Sequence, residues 1–222
     1  LVDLKQYLPA TIELALVAII IAAVFGILFG VLSATWPNSF IDHLLRTISV
    51  TGVSIPSFWF ALLVLYVFYF QLGWSPGPGR LGAWSTPPDP ITHFYIIDAL
   101  IQKKWAIAGE SFRHVLWPAL VLGAFTMGLI TRTNRSSLLE TMSMDYIRTA
   151  RAKGLGEVAV VIRHAFGNAF IPVITVIGLG FGNLLGGAVL VETIFSWPGI
   201  GMYAYRSAVS LDFPAISGVA LV

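Results

Sequence analysis

Apolar residues in this chain come in long unbroken blocks separated by short polar stretches, and the blocks set the first expectation. No charge falls between Glu13 and Asp42, with an apolar heart at 14–34, nor between Arg46 and Arg80, with a core at 55–72. Further charge-free runs cover 115–131 and 165–191, and another opens near Phe213 and continues to Val222. A helix needs about 20 apolar residues to cross about 30 Å of hydrocarbon, so these runs read as membrane spans. Within them apolar residues are consecutive, as at Ile19, Ile20 and Ile21, which excludes the alternation of a membrane β-barrel. The predicted fold class is therefore all-α and polytopic, one transmembrane domain over 1–222. Its spans are expected near 10–35, 50–72, 114–131, 165–191 and 213–222, the last truncated. Pro9 is expected early in the first helix, where its missing N–H costs nothing. Pro56, Pro118 and Pro172 fall near the beginnings of later spans. The stretch from Gly73 to Pro90 holds prolines at 76, 78, 87, 88 and 90 and cannot be helical, so 73–113 reads as an external loop.

Composition agrees. The 222 residues are 57% hydrophobic and 11% charged, against about 25% charged in soluble domains, so a soluble globular protein and a disordered chain are both excluded. A net charge of +2 without a basic stripe excludes a nucleic-acid partner. Membrane lipid is the expected surrounding. There is no cysteine, hence no disulfide, thiolate metal site or cysteine nucleophile. Orientation follows from the cations: loops 36–48 and 132–163 carry seven Lys/Arg in 45 residues, whereas 1–9, 73–114 and 192–213 carry six in 73. The first set is the expected cytoplasmic one. The chain starts at Leu1 and closes on an uncharged run, and it reads as a segment of a longer protein with an upstream span.

Small residues supply the expected helix contacts, because helices in lipid associate through close packing rather than by hiding apolar surface. Ala22, Gly26, Gly30 and Ala34 recur every four residues in the first span, and Gly178, Gly182 and Gly186 do so in the fourth. The polar segment 132–163 holds nine of the 24 charged residues. Within it Thr141, Ser143 or Asp145 is expected to cap a surface helix of about three turns ending at Gly154. Ala150 and Gly154, one turn apart, give that helix a bare patch for a protein partner. A cationic loop resting on anionic headgroups is the alternative.

The run Asp145-Tyr146-Ile147-Arg148-Thr149-Ala150-Arg151-Ala152-Lys153-Gly154, followed by Arg163-His164-Ala165-Phe166-Gly167-Asn168-Ala169-Phe170-Ile171-Pro172, resembles the cytoplasmic signature of ABC-transporter permeases of the dipeptide, oligopeptide and nickel branch. Leu8-Pro9-Ala10-Thr11, the segment Gly52 to Trp59, and Val191 to Gly201 agree with the same branch. The resemblance covers nearly the whole chain. It implies about five spans of an expected six in a permease subunit of an ATP-driven importer of the prokaryotic cytoplasmic membrane. Substrates would be peptides, nickel or other small solutes. Asp145, Tyr146, Arg148, Thr149, Ala150, Arg151, Lys153 and Gly154 would form the helix that couples to the ATPase. The implied partners are a second permease subunit as a heterodimer, two ATPase subunits and an extracellular solute-binding protein. Arg148-Thr149-Ala150 stands where the wider family has Glu-Ala-Ala.

Other chemistry finds no support. None of the four lysines ends a phosphate-binding Gly-rich loop, so this chain is expected to bind no cofactor and hydrolyse no ATP, ATP-Mg residing on partner subunits. His43, His93, His114 and His164 lack metal spacing, and no metal or catalytic site is expected. Glu13 and Glu192, at outer span ends, are candidates for the translocation pathway or outer gate. Trp197 to Gly201 reads as an outer turn with Trp197 at headgroup depth. The competing reading is an ion-coupled carrier or channel acting without an ATPase. That would place ionisable groups near mid-membrane, and the span cores hold none.

Overall fold

The computed structural model describes the backbone of residues 2–220 and the side chains of residues 5–220. No strand occurs among them. The helices are α1 (Val2–Thr35), α2 (Phe40–Ser54), α3 (Ser57–Val64) running on as a π-helical stretch (Leu65–Gln71), and α4 (Tyr95–Ile101). Then come α5 (Trp105–Met142), α6 (Asp145–Ala152), α7 (Glu157–Ala159), a second π-helical stretch (Val160–Ala165), and α8 (Phe166–Gly187). The described chain ends with α9 (Val189–Ile194), α10 (Ile200–Val209) and α11 (Phe213–Ala220). Three helical stretches are long and apolar enough to cross a membrane: Lys5–Thr35, Trp105–Met142 and Glu157–Gly187. The pair Phe40–Ser54 and Ser57–Gln71, bent by 110°, makes a fourth if it is one broken span.

Several predicted boundaries move, each for a local reason. The expected single span 50–72 is broken at Ile55 and Pro56, because the ring of Pro56 disfavours a helical residue before it. The predicted loop 36–48 is mostly helix, since α2 starts at Phe40, and Asp42 in its first turn is neutralised by Arg135 rather than by water. The predicted third span, 114–131, is the middle of α5, whose 38 residues extend about 57 Å and absorb both Arg113 and Arg132. The fourth starts earlier than 165, at Glu157, and breaks at Ala188. Pro9, Pro118 and Pro172 lie inside α1, α5 and α8 rather than at their starts. The truncated fifth span is described only to Ala220, and residues 221 and 222 lie outside the described residues.

The chain divides into two compact units. The first combines residues 1–18, 55–123 and 183–222. Inside it α5 approaches α1 closely at Gly123, where a Cβ would stand 2.7 Å from the Ala18 carbonyl oxygen. Phe68 stacks on Trp117 at 4.4 Å, and Tyr7 on Tyr203 at 4.7 Å. The non-helical stretch between the π-helix and α4 is held by polar anchors. Asp98 accepts the amides of Ile91, Thr92 and His93 and the Thr92 hydroxyl, and Glu110 accepts the Gly82 amide and the Ser85 hydroxyl.

The second unit combines residues 19–54 and 124–182. Its helices meet at glycines. A Cβ on Gly26 would stand 2.7 Å from Ile130 Cγ2, and one on Gly30 2.7 Å from Asn134. Gly128 lies against the Ser49 carbonyl, Gly52 against that of Ala124, and Gly180 against Thr126. Ala22, Ile130 and Val173 form one buried cluster. A second joins Ala34 and Leu138 to Ile147 and Ala150 of α6 and to Val160, Val161, Ala165 and Ala169.

Candidate functional site

The segment that sequence singles out as a coupling helix is α6, and the chain chemistry around it explains its shape. After α5 the backbone turns at Ser143 and Met144, and Met144 is extended. None of the three expected caps closes the N-terminus: the Ser143 hydroxyl donates back to the Glu140 carbonyl and that of Thr141 to Ser137. The helix spans eight residues, about two turns rather than three, and Gly154 follows it with φ +81°, the left-handed conformation that glycine adopts without penalty.

Its two faces differ sharply. Ile147 and Ala150, three residues apart, are buried in the second unit's larger cluster. Asp145, Arg148, Thr149, Arg151, Lys153 and Gly154 are exposed, and Tyr146 is exposed with its phenol oxygen accepting from Asn168. The expected bare patch is thus corrected: Ala150 faces the protein's own core, where α6 packs on the second π-helical stretch (Val160–Ala165), and the exposed face of α6 is mostly polar. Arg148 pairs with Asp145 at 3.5 Å, and Arg151 forms two hydrogen bonds with Glu157, bridging the Gly154 turn.

The glycine candidates separate into two groups. Gly26 and Gly30 lie at close helix contacts, against Ile130 and Asn134. Gly178, Gly182 and Gly186 have nothing within 4 Å of a built Cβ, and the tight approach on α8 falls at Gly180 instead. The four-residue repeat therefore marks a face of α8 without a neighbour among the described residues.

Glu13 and Glu192 both belong to the first unit, and both are buried rather than facing water, at 5% and 0% exposure. Glu13 pairs with Arg80 and accepts the Ile96 amide. Glu192 accepts the Thr11 hydroxyl at 2.6 Å and the Met202 amide at 3.0 Å. Thr11 in turn accepts the Ile200 amide, and the Trp197 indole donates to the Ala10 carbonyl. Trp197 is therefore not a headgroup anchor; it is 1% exposed. Arg80 stacks 3.5 Å from the centre of the Tyr95 ring and 5.6 Å from that of Trp197. Burial pushes the Glu192 carboxyl above its ordinary value, against hydrogen bonds that lower it. Burial likewise pushes Asp98 up, but its hydrogen bonds outweigh this and hold it below the usual carboxylate range.

Sequence reasoning missed two groupings. Arg80, isolated in a Pro/Gly-rich loop, is the partner of Glu13, and the signal was an acidic residue at a span edge with no nearby cation. Arg135 reaches Asp42 with two hydrogen bonds, at 2.8 and 2.7 Å, and Ser33 also donates to Asp42. Asp42 is fully buried, so an acid opening a helix after an apolar run needed a cation from elsewhere. No group of three His, Asp or Glu suited to a metal occurs among the described residues.

Comparison with known proteins fits this architecture. The chain is 46% identical over 220 residues to the probable D,D-dipeptide transport system permease protein of Escherichia coli (strain K12), covering 99% of this chain and 65% of the relative. It is 46% identical over 224 residues to a dipeptide transport system permease protein of Alkalihalophilus pseudofirmus, covering 99% and 66%. A di/tripeptide transport system permease protein of Pseudomonas aeruginosa is 45% identical over 215 residues, covering 96% and 64%. The chain thus spans about 65% of the length of these relatives. Residues 26–222 match the binding-protein-dependent transport system inner membrane components, multi-pass helical permeases, and the chain belongs to that family.

Proposed function

We propose that this chain is the membrane core of a permease subunit of an ATP-driven peptide importer, working by alternating access. The ATPase would sit on separate subunits that carry ATP-Mg, this chain holding neither cofactor nor nucleotide site. A second permease subunit would complete the path, and an extracellular binding protein would deliver the solute. The relatives described above are D,D-dipeptide, dipeptide and di/tripeptide permeases, which favours peptides over nickel as cargo.

One observation carries the coupling role: α6 is fixed to the second unit through Ile147 and Ala150 while Asp145, Arg148, Thr149 and Arg151 face outward. A short helix held by one face transmits displacement as a lever would, because the buried contact moves with the exposed one. The buried carboxylates of the first unit suit a different task. In this reading Glu13 and Glu192 tie α1, the loop bearing Arg80 and the α9–α10 segment into one outer-gate piece rather than lining the path.

Because the sequence has no cysteine, a single introduced thiol is a clean probe. In the full-length protein, any cysteine elsewhere removed, Arg148→Cys should cross-link to the co-expressed ATPase, and Trp84→Cys, fully exposed in the loop, should not. Absence of cross-linking at 148, or equal cross-linking at 84, would remove α6 from the ATPase interface.

A further inference from the structure

Helices α2 and α5 run antiparallel in the second unit, since Asp42 meets Arg135, Ser49 meets Gly128 and Gly52 meets Ala124. Between their facing sides opens a cleft of about 530 Å³. On α2 it is lined by Arg46, Ser49, Val50 and Val53, the i, i+3, i+4, i+7 face, and on α5 by Leu129 and Arg132. The same antiparallel register sets Arg46 and Arg132 at one level along the pair.

The cleft is electrostatically unbalanced. Arg135 also borders it, but its charge is answered by Asp42. Neither Arg46 nor Arg132 has an ion-pair partner among the described residues, and no carboxylate lines the cleft. Most bordering hydroxyls are spent on their own helices: Ser49 donates to Leu45, Thr131 to Met127 and Ser136 to Thr133. Two free guanidiniums therefore converge on a space that calls for an anion.

Depth and lining specify which anion. Arg132 is the first charge after the apolar run 115–131, and Arg46 the last before the charge-free run that ends at Arg80. The charge pattern therefore places both at the expected limit of the hydrocarbon. Beside them Val50 and Val53 are 63% and 37% exposed, an apolar wall directly adjoining the cations. A cationic rim over an apolar wall at headgroup depth complements an amphiphile with a phosphate head. We propose that this cleft binds an anionic phospholipid, its phosphate between Arg46 and Arg132 and the start of an acyl chain along Val50 and Val53. This goes beyond the transport reading and does not depend on the solute carried.

The test uses the full-length permease in its assembled complex, in nanodiscs of phosphatidylcholine with a trace of fluorescent phosphatidylglycerol. Binding is read by energy transfer from the protein and by lipid mass spectrometry after extraction. The double variant Arg46→Gln/Arg132→Gln should weaken phosphatidylglycerol binding about thirtyfold, the loss expected for two cationic contacts. Val50→Trp keeps both charges but fills the cleft and should weaken binding as well. Arg163→Gln, an exposed cation outside the cleft, should leave it unchanged. Unaltered binding in the first two variants, or equal loss in the third, overturns the site. Inorganic phosphate or glycerol 3-phosphate at millimolar concentration should not displace the lipid. Displacement by either would make this a soluble-phosphate site, and displacement by a dipeptide would assign the cleft to the solute; each overturns the proposal.

Discussion

At Gly26 the missing side chain is what admits Ile130, and at Gly30 what admits Asn134. Adding a methyl at Gly26 overpacks a contact between two helices, so Gly26→Ala should lower stability by about 1–3 kcal/mol, read as a lower Tm of the full-length protein in detergent. Gly182→Ala, with open space around its Cβ, should leave the Tm of the isolated subunit unchanged. The ion pair of Asp42 and Arg135 makes the opposite kind of site. Asp42 is fully buried, so Arg135→Ala strands a carboxylate and should cost about 3–5 kcal/mol, whereas replacing both partners with neutral residues should cost less. Glu192 gives a pH signature. Its carboxyl titrates above the unfolded value of 4.5, so the folded state holds the proton more tightly. Its contribution to stability therefore falls as pH rises from 4.5 toward the folded value. Melting curves of Glu192→Gln should lack that part of the slope relative to the parent protein.

At the scale of the element, α6 is held by few contacts, and Ile147 is the largest of them. Ile147→Ala removes a fully buried side chain, a change that costs about 2–5 kcal/mol in a packed core. Because α6 has eight residues, the loss should appear as local undocking, with faster amide exchange over 145–152 and little change in α5. Arg148→Ser, on the exposed face, should leave exchange as it is. The helix was legible in sequence because its composition breaks from the apolar runs on either side and Gly154 marks its end. Which side faces inward is not legible: Ala150 reads equally as a bare surface or as a close contact until the stretch Val160–Ala165 is placed against it. The helices overrun the expected span limits for a related reason. Charges such as Arg113, Arg132 and Arg163 end an apolar run but do not end a helix, whose backbone hydrogen bonds continue into the polar region.

At the scale of the molecule, the family was readable because its signatures recur in order along the chain, at Leu8, Gly52, Asp145 and Val191. The pairings Glu13 with Arg80 and Asp42 with Arg135 were not, since they join residues 67 and 93 positions apart and follow no local pattern. Both lie at the limits of apolar runs, where a charge must find a partner or reach water. On the proposed function, the full-length subunit would move solute only when a separate ATPase drives it. The direct measurement is uptake of labelled dipeptide into proteoliposomes holding the full-length permease, its partner permease, the ATPases and the binding protein. Uptake should require ATP and the ATPase subunits together. Uptake that persists at the same rate with both omitted would contradict the account.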